Sequence, residues 1–84
     1  MRITNKGEFG LRLAIRLARN YETGEPMTTH ELATSERLPE EFVQKLLWQL
    51  LQSGIIESRR GAKGGFFLAR PPLQINARDV VRAL

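Results

Sequence analysis

Four cations stand close together in the stretch Ser53–Pro72, SGIIESRRGAKGGFFLARPP: Arg59, Arg60, Lys63 and Arg70. No carboxylate lies between Glu57 and Asp79 to neutralise them. Their chemistry is charge neutralisation, and it points to a polyanion, with nucleic acid first and an anionic membrane surface second. A second set, Glu41, Gln44 and Lys45, carries donor and acceptor types that meet base edges. Glutamine suits adenine, lysine suits guanine, and glutamate can accept from the cytosine amino group. Stabilisation by a helix dipole explains Glu41 equally well. Covalent and metal chemistry has no comparable support. The chain has no cysteine, its single histidine (His30) has no second ligand nearby, and neither H-E-x-x-H nor G-x-S-x-G occurs. Gly61-Ala62-Lys63-Gly64-Gly65 lacks the G-x-x-x-x-G-K-S/T spacing of a phosphate loop, and its glycines suit a hairpin tip that needs positive φ. No enzyme and no small-molecule substrate is expected.

These side chains need elements to aim them. The first helix is predicted over residues 5–21, with Phe9, Leu13, Ala14, Leu17 and Tyr21 on the core face. Leu11, Ile15 and Ala18 extend the apolar surface round a second arc, and Glu8, Arg12, Arg16 and Arg19 take what remains. Either that arc buries inside the monomer, or Leu11 and Ile15 meet a second subunit or a further C-terminal helix. Gly24 stops the first helix. Thr28 and Glu31 form a capping box, flanked by Met27 and Leu32 as a hydrophobic staple, and open a short second helix, Thr29–Arg37.

Pro39 is expected at the first position of the third helix, with Glu40 and Glu41 in its first turn. Phe42, Val43, Leu46, Leu47 and Leu50 make its buried face. Glu41, Gln44, Lys45, Trp48 and Gln52 lie opposite, and Gly54 ends it. Trp48 has two readings: packing under the hairpin or second helix, or contact with a DNA sugar or a protein partner. The strands are predicted at Ile55–Arg60 and Phe66–Ala69, with Phe66 and Leu68 toward the core and Phe67 away from it. Asn76 caps a last helix, with Asp79 at its third position and Ile75 and Val80 as a staple. Helix, helix, helix, hairpin, helix is a winged helix-turn-helix, mainly α with a small β-hairpin.

At 84 residues the chain makes one domain, residues 1–84, and its 42% hydrophobic and 26% charged content is that of an ordered one. The net charge of +4 favours an anionic partner. No apolar run approaches the ~20 residues of a membrane span, and MRITNKGEFG lacks a signal peptide's apolar region. A cytoplasmic protein with no membrane partner is expected. The last helix still runs at Leu84, as in an N-terminal domain or a truncated chain.

The segments MRITNKGEFGLR, EFVQKLLWQLLQSGIIESRRGAKGGFFLARPP and INARDVVRAL together resemble the IscR-like (Rrf-two) family of bacterial transcription regulators. The most specific part is R-G-x-x-G-G-F/Y-x-L-A at Arg60–Ala69, preceded by L-x-x-S-G-I-I. The resemblance implies a homodimer on a palindromic promoter element in double-stranded DNA, usually as a repressor. It implies base reading from the third helix, including Gln44, and a wing carrying the Arg60-Gly61 pair in or beside the minor groove. Together with Arg59 and Lys63, these make the wing and phosphate set. Lys6 and Thr4 match the family's N-terminal phosphate-side segment; apart from the resemblance, Arg2 and Lys6 near the start of the first helix either bind phosphate or are only solvated. Relatives implied by the resemblance hold an iron–sulfur cluster through cysteines in a C-terminal half that also supplies the dimerisation helix. That half is absent or truncated here, so no cofactor is expected within this chain. The sequence also departs from the family pattern. Ala62 and Lys63 replace a frequent proline and glycine, Pro39 stands where a serine cap is common, and Leu51 and Gln52 stand where basic residues are usual.

The expectation is therefore a sequence-specific DNA-binding regulator, with two rivals kept open. One is a winged helix used for protein interaction through Leu11, Ile15 and Trp48. The other is a double-stranded RNA binder, recognising shape and 2′-hydroxyls.

Overall fold

The computed structural model describes residues 5–84. Helix α1 spans Asn5–Asn20 and buries Leu13, Ala14 and Leu17. One 3₁₀ turn, Tyr21–Thr23, follows and closes at Gly24, whose φ of 72° lies in the left-handed region. Helix α2 spans Thr29–Glu36. Its capping box forms as the spacing predicts: Thr28 Oγ1 accepts from the Glu31 amide, and Glu31 Oε1 accepts from the Thr28 amide, each at 3.0 Å. Met27 and Leu32 both join the core.

The end of α2 is less comfortable. Arg37 adopts φ 56°, ψ 48°, and the next amide, Leu38, donates to the Ala33 carbonyl at 2.9 Å. A side chain in this left-handed region costs about 1–2 kcal/mol where glycine costs little. Arg37→Gly is therefore expected to stabilise the domain by about 0.5–1 kcal/mol once glycine's unfolded-state entropy is deducted. Urea denaturation checks this, and an unchanged or lowered midpoint would contradict it.

Helix α3 spans Glu40–Gln52. Pro39 is its N-cap and not, as expected, its first helical residue. Its ψ of 138° is extended, yet its carbonyl already accepts the Val43 amide at 3.1 Å. Val43, Leu46, Leu47 and Leu50 are fully buried. Strand β1, Ile56–Arg59, pairs antiparallel with β2, Gly65–Leu68, in the register Ile56↔Leu68, Glu57↔Phe67, Ser58↔Phe66 and Arg59↔Gly65. The strands are four residues each, against the predicted Ile55–Arg60 and Phe66–Ala69. A 3₁₀ turn at Pro72–Gln74 leads to α4, Ala77–Ala83, where Asn76 Oδ1 accepts the Asp79 amide at 2.9 Å. Val80 is buried, and Ile75 packs beside the core.

Two long-range ties fix how the helices and the hairpin sit together. Glu36 sits between Arg12 and Arg16 of α1, taking Nε of Arg12 at 3.2 Å and Nε of Arg16 at 2.9 Å. Arg12 Nη2 also donates to the Glu36 carbonyl at 2.7 Å, so one residue both pairs with α1 and finds a partner for the carbonyl end of α2. The second tie is a bridge between Met27 and Phe66. The Met27 amide donates to the Phe66 carbonyl at 2.9 Å, and the Phe66 amide donates back at 2.7 Å. It fastens the entry to α2 onto the inner strand of the hairpin. Helices α1 to α3 around a Leu/Val core, with a hairpin docked beside α3, form the winged helix-turn-helix.

Candidate nucleic-acid interface

With Val43, Leu46, Leu47 and Leu50 turned inward, the 3.6-residue period leaves Glu41, Gln44, Lys45 and Trp48 on the outward stripe of α3. All four are exposed, and Trp48 keeps 58% of its surface. Of the two readings of Trp48, packing beneath the wing or α2 does not fit this exposure. The stripe borders an open cleft of about 790 Å³ between α3 and the hairpin, with Ser58 and Phe66 on the hairpin side and Lys6 at its edge.

Residues opposite one another in an antiparallel pair share a face. Ser58 and Phe66 therefore face the α3 side together with the buried Ile56 and Leu68. Glu57, Phe67 and Arg59 lie on the reverse face. There the Arg59 guanidinium sits 5.4 Å from the centre of the Phe67 ring, in a separate hollow shared with Tyr21 and Glu25. The wing cations thus split. Arg59 is held on the reverse face by the aromatic ring, while Arg60, Gly61 and Lys63 lie at the exposed tip. The tip is closed by the Gly64 amide donating to the Gly61 carbonyl at 2.9 Å. Gly61 itself has φ 112°, as the hairpin reading requires.

Of the three N-terminal candidates, Lys6 is exposed at the cleft, while Arg2 and Thr4 lie outside the described residues. Leu11 is half-buried and Ile15 is 52% exposed. Both line an apolar hollow of about 160 Å³ with Pro72, Ile75 and Ala77, to which α3 contributes no residue. His30, read as solvated, is exposed and has a neighbour in Glu40 Oε1 at 3.3 Å.

A family model matches residues 3–84, nearly the whole chain. The chain belongs to the Rrf2 family. The Rrf2 model is described as an iron-dependent transcriptional regulator. Among curated relatives, the transcriptional regulator CymR of Bacillus subtilis is 36% identical over all 84 residues, which span 60% of its length. The solved structure of CymR, the global cysteine regulator of B. subtilis, superposes with a TM-score of 0.93 at 33% identity, over all of this chain and 64% of that one. IscR of T. potens superposes with a TM-score of 0.91 at 31% identity, over all of this chain and 61% of that one. The chain thus spans about three fifths of the length of these Rrf2 relatives. Rrf2 proteins are transcriptional regulators and not enzymes.

The iron of the family description finds no fitting donors here. The chain has no cysteine, and among the described residues no three His, Asp or Glu side chains gather to hold a metal ion. Nor is any described helix long and apolar enough to cross a membrane.

Sequence reasoning missed the Arg12–Glu36–Arg16 tie, because a helical wheel sees only that the arginines lie off the apolar arcs. It also missed Phe67 as the support for Arg59. The register carried that signal, since Arg59 and Phe67 are diagonal neighbours on one face.

Proposed function

We propose that this chain is the DNA-binding module of a dimeric transcription regulator that reads a palindromic promoter element and acts as a repressor in the cytoplasm. The carrying observation is a single cleft bordered by the outward stripe of α3 and by the hairpin whose tip bears Arg60 and Lys63. A major groove about 12 Å wide accepts a helix, and the stripe offers Gln44 to adenine, Lys45 to guanine and Glu41 to cytosine. The wing tip reaches the flanking phosphates or minor groove, with Arg60 and Lys63 as the cations and Gly61 allowing the turn. Lys6 adds a phosphate contact at the other edge of the cleft, and Arg2 and Thr4 belong to the same segment.

The α1 arc is assigned to contact with a second subunit or with a further C-terminal helix that dimerises. Ile15 leaves over half its surface uncovered beside Leu11 and the apolar hollow they share with α4. CymR and IscR support the regulator reading. With no cysteine in its 84 residues, this segment is assigned recognition and not sensing.

If each protomer neutralises about five phosphates, log K falls with log salt at a slope of about −4 to −5 per protomer. Arg60→Ala is expected to weaken binding by about 1–3 kcal/mol. Selection of bound duplexes from a random pool, followed by a salt titration on the winner, checks both. A flat salt response, or a pool that yields no palindrome, contradicts the proposal.

A further inference from the structure

We infer that Trp48 reads a thymine through its C5-methyl group, making it a specificity residue of the DNA site. The inference rests on the DNA-binding reading above. Its starting point is an anomaly of burial: the largest apolar side chain in the protein stays 58% exposed on a helix whose Val43, Leu46, Leu47 and Leu50 are fully buried. Among the described residues its indole N–H donates no hydrogen bond and no aromatic ring packs against it. The indole is free to meet something else.

Its place on the helix selects the occupant. Trp48 lies four residues after Gln44 and three after Lys45, so all three project from one stripe. A helix laid in a major groove presents that whole stripe to base edges. There the thymine methyl is the apolar feature of the donor and acceptor code, and it is met by apolar side chains. Leu51 and Phe66, both half-buried, continue the apolar strip from Trp48 toward the hairpin and help exclude water from such a contact. A protein partner fits this cleft less well. Lys6 and Lys45 flank it, and charged residues are depleted from the cores of protein interfaces.

Trp48 is the only tryptophan, so its emission reports its surroundings directly. The test begins from the selected duplex, with each thymine in turn replaced by uracil, which removes only the methyl. At one position per half-site, uracil is expected to lower affinity about fourfold, the worth of one buried methyl group. Cytosine at that position is expected to bind poorly and 5-methylcytosine to recover part of the loss, because its methyl occupies the same place. Trp48→Ala is expected to bind the thymine and uracil duplexes equally, with the wild-type salt slope, while Trp48→Phe keeps the preference. Wild-type emission is expected to change more on the thymine duplex than on the uracil one.

Equal wild-type binding of thymine and uracil at every position overturns this inference alone. So does a uracil penalty that persists in Trp48→Ala. A Trp48→Ala protein that reads DNA as the wild type does but loses self-association reassigns the indole to a protein contact. Failure to bind any duplex overturns the DNA-binding reading and this one with it.

Discussion

Replacing Gly65 with alanine is expected to destabilise the domain by about 2–4 kcal/mol, a large fraction of the ~4–12 kcal/mol that a chain of this size holds. Two costs coincide at this position. Its φ of 151° is one that side chains rarely adopt, and an added Cβ would stand 2.6 Å from both the carbonyl carbon and the oxygen of Met27. Those are backbone atoms of the segment that bridges to Phe66, so relief requires breaking the bridge. Gly61→Ala is the control. There φ is 112° but the space around the added atom is open, so the loss is expected to be about 1 kcal/mol, from backbone conformation alone. Urea unfolding of the two variants separates clash from conformation. Equal losses would show that the Met27 contact yields without cost.

Glu36→Gln is expected to cost about 1.5–3 kcal/mol at neutral pH, less than a fully buried pair because Arg12 and Arg16 keep 40% and 34% of their side chains exposed. Burial raises the Glu36 carboxyl, whose side chain is only 11% exposed. The hydrogen bonds and charges of Arg16 and Arg12 more than offset this, and the carboxyl settles below its ordinary 4.5. The sign follows from linkage. A carboxyl lower in the folded than in the unfolded state contributes stability that is complete above the unfolded value. That contribution is lost as pH falls through the folded value. The gap between wild type and Glu36→Gln should therefore hold steady from neutral pH down to about pH 5.5 and shrink below pH 4.5. Denaturant midpoints across that range test it. A gap that does not change with pH would mean that the carboxylate's charge contributes nothing.

What was legible in the sequence was local. The Thr28–Glu31 box, the Asn76–Asp79 cap and the Gly24 stop each need only a few consecutive residues, and each formed where spacing placed it. The faces of Phe66 and Leu68 follow from the two-residue period of a strand. The outward stripe of α3 follows from the helical period in the same way. The unread parts join residues far apart in the chain. Arg12 and Glu36 are separated by 24 positions, and either alone reads as an ordinary surface charge. The Met27–Phe66 bridge is made of backbone groups and leaves no mark in side-chain type. Trp48 defeated the simplest rule, that a large indole finds cover, because the polar face it occupies borders an open cleft and leaves it 58% exposed.

The Met27–Phe66 bridge bears on how such a domain is switched. It ties the strand that carries the wing to the start of α2, and Glu36 at the far end of α2 is clasped by α1. Wing, second helix and first helix are thereby joined in one run of hydrogen bonds and ion pairs. If two copies act together, as proposed above, a signal is expected to change the distance and angle between them. An operator would then answer to the spacing of its half-sites more than to any change of shape within each.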